Sequence, residues 1–179
     1  RRVLFRSAFL REVSAPYAGQ LPDLRVVGII GPRGDAYQAN RTITAAEAED
    51  YHSVQLTTLA AAGVDLAQAL TFGSAEEALG LTRAAAAIGV PLSISFTLDA
   101  DHRLFSGGTV GEAIEYIDAQ TGDASPAFYG INCSHPYEFL PAVESRPWFQ
   151  RVRALRPNAA MADKIALCTL GHLEAGDPA

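Results

Sequence analysis

Asn132, Cys133, Ser134 and His135 follow one another at the end of an apolar run, Ala127 to Ile131. A cysteine that leaves a buried strand is held on a rigid element and can face whatever lies at the strand's end. Its thiolate could serve as a nucleophile or a metal ligand. The plainer reading is a buried apolar cysteine that closes the strand. His135 could be a base or a ligand, but Pro136 follows and a helix begins there, so a helix N-cap or surface position is the stronger reading. His102 stands in a polar loop beside Asp99 and Asp101. A cation site is conceivable there, and a solvated loop is the simpler account. His52 reads as a partly exposed residue in mid-helix, and His172 carries no argument. Cys168 lies outside any clear motif and reads as structural. Glu47, Glu77 and Glu112 each stand three residues after Thr44, Ser74 and Thr109. That spacing is the capping box, in which each side chain satisfies the other residue's backbone N–H, so these glutamates are assigned to helix caps and not to catalysis. Asp65 and Asp118 read as ordinary polar positions.

The elements that must position these residues alternate along the chain. Leu24 to Ile30 is apolar, rich in β-branched residues, and stops at Gly31-Pro32. Asn40 to Ala62 reads as a helix ended by Gly63. Val64 to Thr71 is a weaker strand. Ala78, Leu81, Ala85 and Ile88 form one stripe of a second helix, ended by Gly89 and Pro91. Leu92 to Leu98 is a strand, and a polar loop runs from Asp99 to Gly108. Val110, Ala113, Ile114 and Ile117 mark a third helix, followed by the strand Ala127 to Ile131 and a short helical stretch near Phe139 to Val143. Arg151 to Leu155 reads equally as strand or helix, and Asp163 to Gly171 as loop with some helix. This order, β-α-β-α-β-α-β with further elements, implies a parallel sheet with right-handed crossovers. The strands lack a consistent polar face, as expected when both faces are covered. Two architectures fit, a doubly wound sheet or part of a (β/α)8 barrel. In either, chemistry sits at the carboxyl ends of the strands. Gly28, Gly31 and Gly34 do not have the spacing of a dinucleotide-binding loop.

Composition narrows the classes. The 179 residues are 49% hydrophobic and 19% charged, with a formal net charge of −6. That apolar fraction excludes wholesale disorder. No apolar run reaches the roughly 18 residues needed to cross a bilayer, and net negative charge without a basic block argues against nucleic-acid binding. Two cysteines make neither a disulfide framework nor, alone, a four-ligand zinc site, so a reducing, cytoplasmic setting is expected. The N-terminus looks foreign. Arg1 to Ser7 has neither a strand nor a clean helical pattern and resembles the translation of a sequencing-adapter oligonucleotide, so residues 1–7 read as a non-native scar and 8–179 as the domain. Gly176-Asp177-Pro178-Ala179 reads as a cut.

At Cys133 the chain resembles the homocysteine S-methyltransferases. The segments that carry the resemblance run in family order: GPRGDAY at Gly31 to Tyr37, TAAEAEDYHSVQLTTLAAAGVDL at Thr44 to Leu66, SISFTL at Ser93 to Leu98, GGTVGEAI at Gly107 to Ile114, GINCSHP at Gly130 to Pro136, RPNAAM at Arg156 to Met161 and EAGDPA at Glu174 to Ala179. GINCSHP is the most specific. The resemblance implies an α/β fold, a (β/α)8 barrel truncated at both ends, since a whole barrel takes about 250 residues. It implies zinc at the carboxyl face, held by three cysteines, which would activate the thiol of homocysteine for attack on a methyl donor and yield methionine. Cys133 would be the first ligand. The adjacent pair of the family's GGCC motif has no counterpart, because Cys168 is not followed by a second cysteine. Asn132 and Thr71 would be substrate-binding. The family carries a glutamate just before that threonine, and here the position is Leu70. Gln68 lies one pleat deeper on the same face and is a poor replacement. The partners implied are small molecules, homocysteine and a methyl donor. The alternative is a non-catalytic α/β binding module or degenerate copy, to which Leu70 lends weight. An aldolase-type barrel would want a strand-end lysine, which the clear strands do not offer.

Overall fold

The computed structural model describes residues 2–21, 23–37, 42–143, 146–172, 174 and 176, and the side chains of these except 2–5 and 168. After helix α1 (Arg2–Ser14) the chain alternates: β1 (Val27–Ile30), α2 (Ala45–Ala61), β2 (Leu66–Phe72), α3 (Ala75–Ile88), β3 (Leu92–Phe96), α4 (Val110–Thr121), β4 (Phe128–Asn132), α5 (Pro136–Phe139), β5 (Val152–Arg156) and α6 (Lys164–Thr169). The five strands form one sheet in the order β1-β2-β3-β4-β5, and each adjacent pair is parallel. A doubly wound sheet reverses its strand order at a switch point. This one never does, so it has the sequential order of part of a (β/α)8 barrel.

Helices α2, α3 and α4 pack on one face of the sheet. Ile30, Ala67, Ala69, Ile94, Phe96 and Tyr129 meet Leu56, Leu59, Leu79, Leu81, Ile114 and Ile117 in one buried core. Each large side chain there contributes about 1.5–3 kcal/mol by leaving water. The helices approach closely: a Cβ on Gly80 would lie 2.2 Å from the Ala45 carbonyl oxygen, so only glycine lets α3 pass α2 at this distance. The other face of the sheet carries small or polar residues in register, Gln68 beside Ser93 and Ser95 beside Gly130 and Ala154. The expectation that both faces are covered holds for β3, buried throughout, and fails at the edge strands, where Ile29 and Leu155 are each 51% exposed.

Several local readings change. Thr44 with Glu47 and Thr109 with Glu112 form full capping boxes, but Ser74 with Glu77 is only half of one. The Ser74 hydroxyl accepts from the Glu77 backbone N–H, while the Glu77 carboxylate turns to His52 and to the backbone of Arg33. His52 is 1% exposed, not partly exposed, because α3 covers it. Arg151 to Leu155 resolves as strand β5, since pairing with β4 decides what local pattern left open. A helix runs through Arg2–Ser14, where no clean helical stripe is legible. Its arginines, leucines and alanine are good helix formers, and Arg11 ties it to the Gly63 carbonyl and to Asp65. Asp65 also accepts from the Val26 N–H, and that bond first, then Arg11, holds its carboxyl below its ordinary range. Asp118 is likewise more than a surface group: it accepts from Arg151 Nε and from the Tyr129 hydroxyl, each at 2.8 Å. Burial, then that bond, pushes the Tyr129 hydroxyl above its usual range. The helix expected from Asn40 begins only at Ala45, because Thr44 is its extended N-cap; Asn40 and Arg41 lie outside the described residues, as do 177–179 and the Cys168 side chain.

Candidate functional site

The carboxyl end of the sheet is built around two residues with left-handed backbone. Cys133 follows β4 with φ +53°, and Thr71, near the end of β2, has φ +65°. A β-branched residue rarely tolerates this region, and each such position costs on the order of 1–3 kcal/mol. Thr71 gets there through a bulge. Ala69 pairs with Ile94 and Phe72 with Phe96, so Leu70 and Thr71 together stand opposite one residue of β3.

Asn132 holds the two strained residues together across the end of β3. Its Oδ1 accepts from the Thr71 N–H at 2.9 Å. Its Nδ2 donates to Thr71 Oγ1 at 2.8 Å and to Cys133 Sγ at 3.1 Å. Thr71 Oγ1 itself lies 3.8 Å from Cys133 Sγ, as a donor. The Asn132 amide is therefore fully oriented by its neighbours, and it is buried. The backbone around Cys133 is fixed as well: its N–H donates to the Arg156 carbonyl, and Thr97 Oγ1 donates to its carbonyl. Buried Ser134 accepts from the Leu98 N–H at 2.8 Å. Cys133 is half-buried, and its sulfur has polar partners. It is not a thiol sealed among aliphatic side chains. Thr71, Asn132 and Cys133, separated by up to 62 positions in the chain, thus meet at one point. Leu70, not a carboxylate, precedes Thr71 in the bulge.

The other sequence candidates separate from this cluster. His135 is the N-cap of α5, accepting from the Tyr137 N–H, as its place before Pro136 indicated. Asp99 accepts from the Asp101 and Arg103 N–H groups, and His102 Nδ1 bonds the Glu138 carbonyl oxygen at 2.8 Å. That loop is a turn held by its own backbone. Glu47 and Glu112 have their carboxyls lowered chiefly by the N–H groups of Thr44 and Thr109, which is the signature of a cap. Among the described residues no group of three or more His, Cys, Asp or Glu is placed to hold a metal ion.

A cavity of about 390 Å³ opens beside the loops that follow the strands, lined by Tyr37, Asp99, Phe105, Tyr137, Met161 and Lys164. Cys133 is not among its lining residues. Lys164 Nζ lies 2.9 Å from both carboxylate oxygens of Glu138 and also bonds the Leu98 carbonyl, so its charge and donors are spent on holding α6 to α5 and to the loop after β3. The Lys164–Glu138 pair escaped sequence reasoning. The only signal available was a lone lysine opening a short apolar helix.

Among solved structures the chain is similar to the homocysteine methyltransferase MmuM from Escherichia coli. The apo form is 23% identical with a TM-score of 0.59, aligned over 74% of this chain and 47% of that one. The metallated form is 23% identical with a TM-score of 0.62 over 74% and 47%, and the oxidized form 22% identical with a TM-score of 0.65 over 78% and 50%. At this identity the likeness shows the fold, and the chain spans about half the length of these structures. No curated protein matches the chain. The sequence model of the homocysteine S-methyltransferases matches residues 3–169, nearly the whole of the chain. The chain therefore belongs to the homocysteine S-methyltransferase family.

Proposed function

We propose that the protein containing this chain transfers a methyl group to the thiol of homocysteine, forming methionine, and that residues 8–179 belong to its homocysteine-binding unit. Family membership supports the reaction class. The observation that carries the reading is the meeting of Thr71, Asn132 and Cys133 at the carboxyl end of the sheet, with strain and buried hydrogen bonds concentrated there. In the reaction the homocysteine sulfur forms a bond to the methyl carbon. The bond from that carbon to the positively charged sulfur or nitrogen of the donor breaks, its electron pair stays with the leaving sulfide or amine, and the thiol proton passes to solvent. The protein's part is to align the two small molecules and exclude water. Asn132 and Thr71 would shape the floor on which homocysteine lies. The rings of Tyr37 and Tyr137 line the cavity, and aromatic rings of this kind would attract a cationic donor.

Zinc is the cofactor the family resemblance implies. One thiol does not close a tetrahedral site, so the described residues do not by themselves fit the metal, and Cys133 would be the single ligand among them. We place the protein in the cytoplasm on the same chemical ground, a thiol that must stay reduced. The decisive experiment is methionine formation by the full-length protein, with sulfonium and ammonium donors offered in turn. Cys133→Ala should lower kcat/KM by at least about a hundredfold. An unchanged rate in that variant would remove Cys133 from the chemistry. Leu70 favours a second reading, a binding module without turnover, because a leucine cannot pair with the substrate's ammonium group. A folded full-length protein that forms no methionine from any donor would select it.

A further inference from the structure

We infer that Glu77, held in place by His52, positions the loop after β1 and so sets Tyr37 against the cavity. The inference rests on the functional reading above only in taking that cavity as part of the site.

Glu77 and His52 are buried to 2% and 1% exposure, and no step of the proposed chemistry uses them. His52 Nε2 lies 3.0 Å from Glu77 Oε1 and donates to it. The ring's other nitrogen, Nδ1, has no hydrogen-bond partner among the described residues, so Glu77 is the only polar group there that His52 serves. Burying such a pair between two helices is costly where an apolar pair would pack as well. The same Oε1 also accepts the Arg33 N–H at 2.5 Å, across 44 positions of sequence. Arg33 is exposed, and its guanidinium lies over the Tyr51 ring at 5.4 Å. Tyr51 in turn meets the His52 ring edge-on, with centroids 4.9 Å apart. Arg33 thus sits on a seat formed by α2 and the first turn of α3.

The consequences run along the loop. Gly34, at φ +87°, turns the chain directly after the anchor. Asp35 then accepts from the Tyr37 N–H at 2.9 Å, closing a tight turn. Tyr37 reaches the cavity wall and meets Phe105 edge-on at 6.4 Å. Glu77 never touches the cavity. It is a positioning residue that acts through the backbone of Arg33.

Amide hydrogen exchange on the full-length protein, without substrate, tests this. In Glu77→Ala, the amides of 33–37 should exchange about tenfold faster than in the wild type, while those of β3 and α4 stay unchanged; Glu77→Gln, which keeps an oxygen in place, should restore protection to within about threefold. Equal exchange at 33–37 in a folded Glu77→Ala overturns the proposal. Should that variant not fold, the wild type decides: the Arg33 amide should exchange at least about tenfold more slowly than its intrinsic rate, and an unprotected Arg33 amide overturns the proposal. In an active protein, Glu77→Ala should raise KM about tenfold with kcat within about twofold. A fall in kcat alone would contradict a positioning role. Because exchange is read without turnover, a protein that transfers no methyl group refutes the proposed function and leaves the loop anchor separately testable.

Discussion

The two sides of the sheet are built on opposite terms. Behind it, Leu56, Leu59, Leu79 and Ile114 pack as aliphatic side chains on ordinary helical backbone, with His52 and Glu77 a buried polar pair between the helices. At its carboxyl end, Thr71 and Cys133 occupy left-handed conformations and a buried amide spends its hydrogen bonds holding them. Folding is driven from the first region, and the second is held by it. Strain persists only where the surroundings over-determine it, and here the rigid apolar layer keeps β2 and β4 at the spacing that Asn132 bridges.

This contrast can be broken from either side. The largest effect is expected behind the sheet: Leu56→Ala should cost about 2–5 kcal/mol in denaturant unfolding and leave the alkylation rate of Cys133 in the folded protein unchanged. A changed thiol rate would show that the two regions are not separable. Asn132→Ala should cost less, about 1–3 kcal/mol, because it leaves the Thr71 N–H without its acceptor. It should also alter Cys133 alkylation, since the sulfur loses its nearest donor. Thr71→Gly sharpens the comparison further. It relieves the positive φ but deletes the hydroxyl bonds to Asn132 and Cys133, so stability should move by less than about 1 kcal/mol while methyl transfer falls. A stabilised variant with full activity would deny the strain any role.

The smallest effect belongs to pH. The carboxyls of Glu47, Glu112 and Asp65 are lowered in the fold, in each case chiefly by a backbone N–H. Their contribution is present above the ordinary carboxylate range, about pH 4, and is lost as pH falls through the lowered folded values. Unfolding midpoints measured from pH 6 to pH 3 should therefore fall toward acid. A midpoint that rises in this window would contradict the assignment.

Much of the fold was legible because its signals are local. Thr44 with Glu47 and Thr109 with Glu112 span three residues, and a capping box needs nothing beyond them. Ser74 and Glu77 show the limit. The same spacing closes only halfway, because His52, 25 positions away, competes for the carboxylate once α2 and α3 pack. The burial of His52 is illegible for the same reason: nothing near it in the chain reveals that α3 will cover it. Cys133 was legible as the residue leaving a strand, and Asn132 as its neighbour. The bulge that brings Thr71 to them was not, since a bulge is a mismatch between two strands and neither strand shows it alone.

What the amino-acid sequence determined unaided is the alternation of strands and helices, the caps that open α2, α3 and α4, and the placing of a thiol just beyond a strand. Those follow from hydrogen bonds and apolar periodicities that close within a few residues. The tertiary structure alone decided the sequential strand order, the partner of each buried carboxylate, and the union of Thr71 with Asn132 and Cys133. These depend on contacts between residues dozens of positions apart, whose energies exist only after the apolar layer has brought the strands side by side.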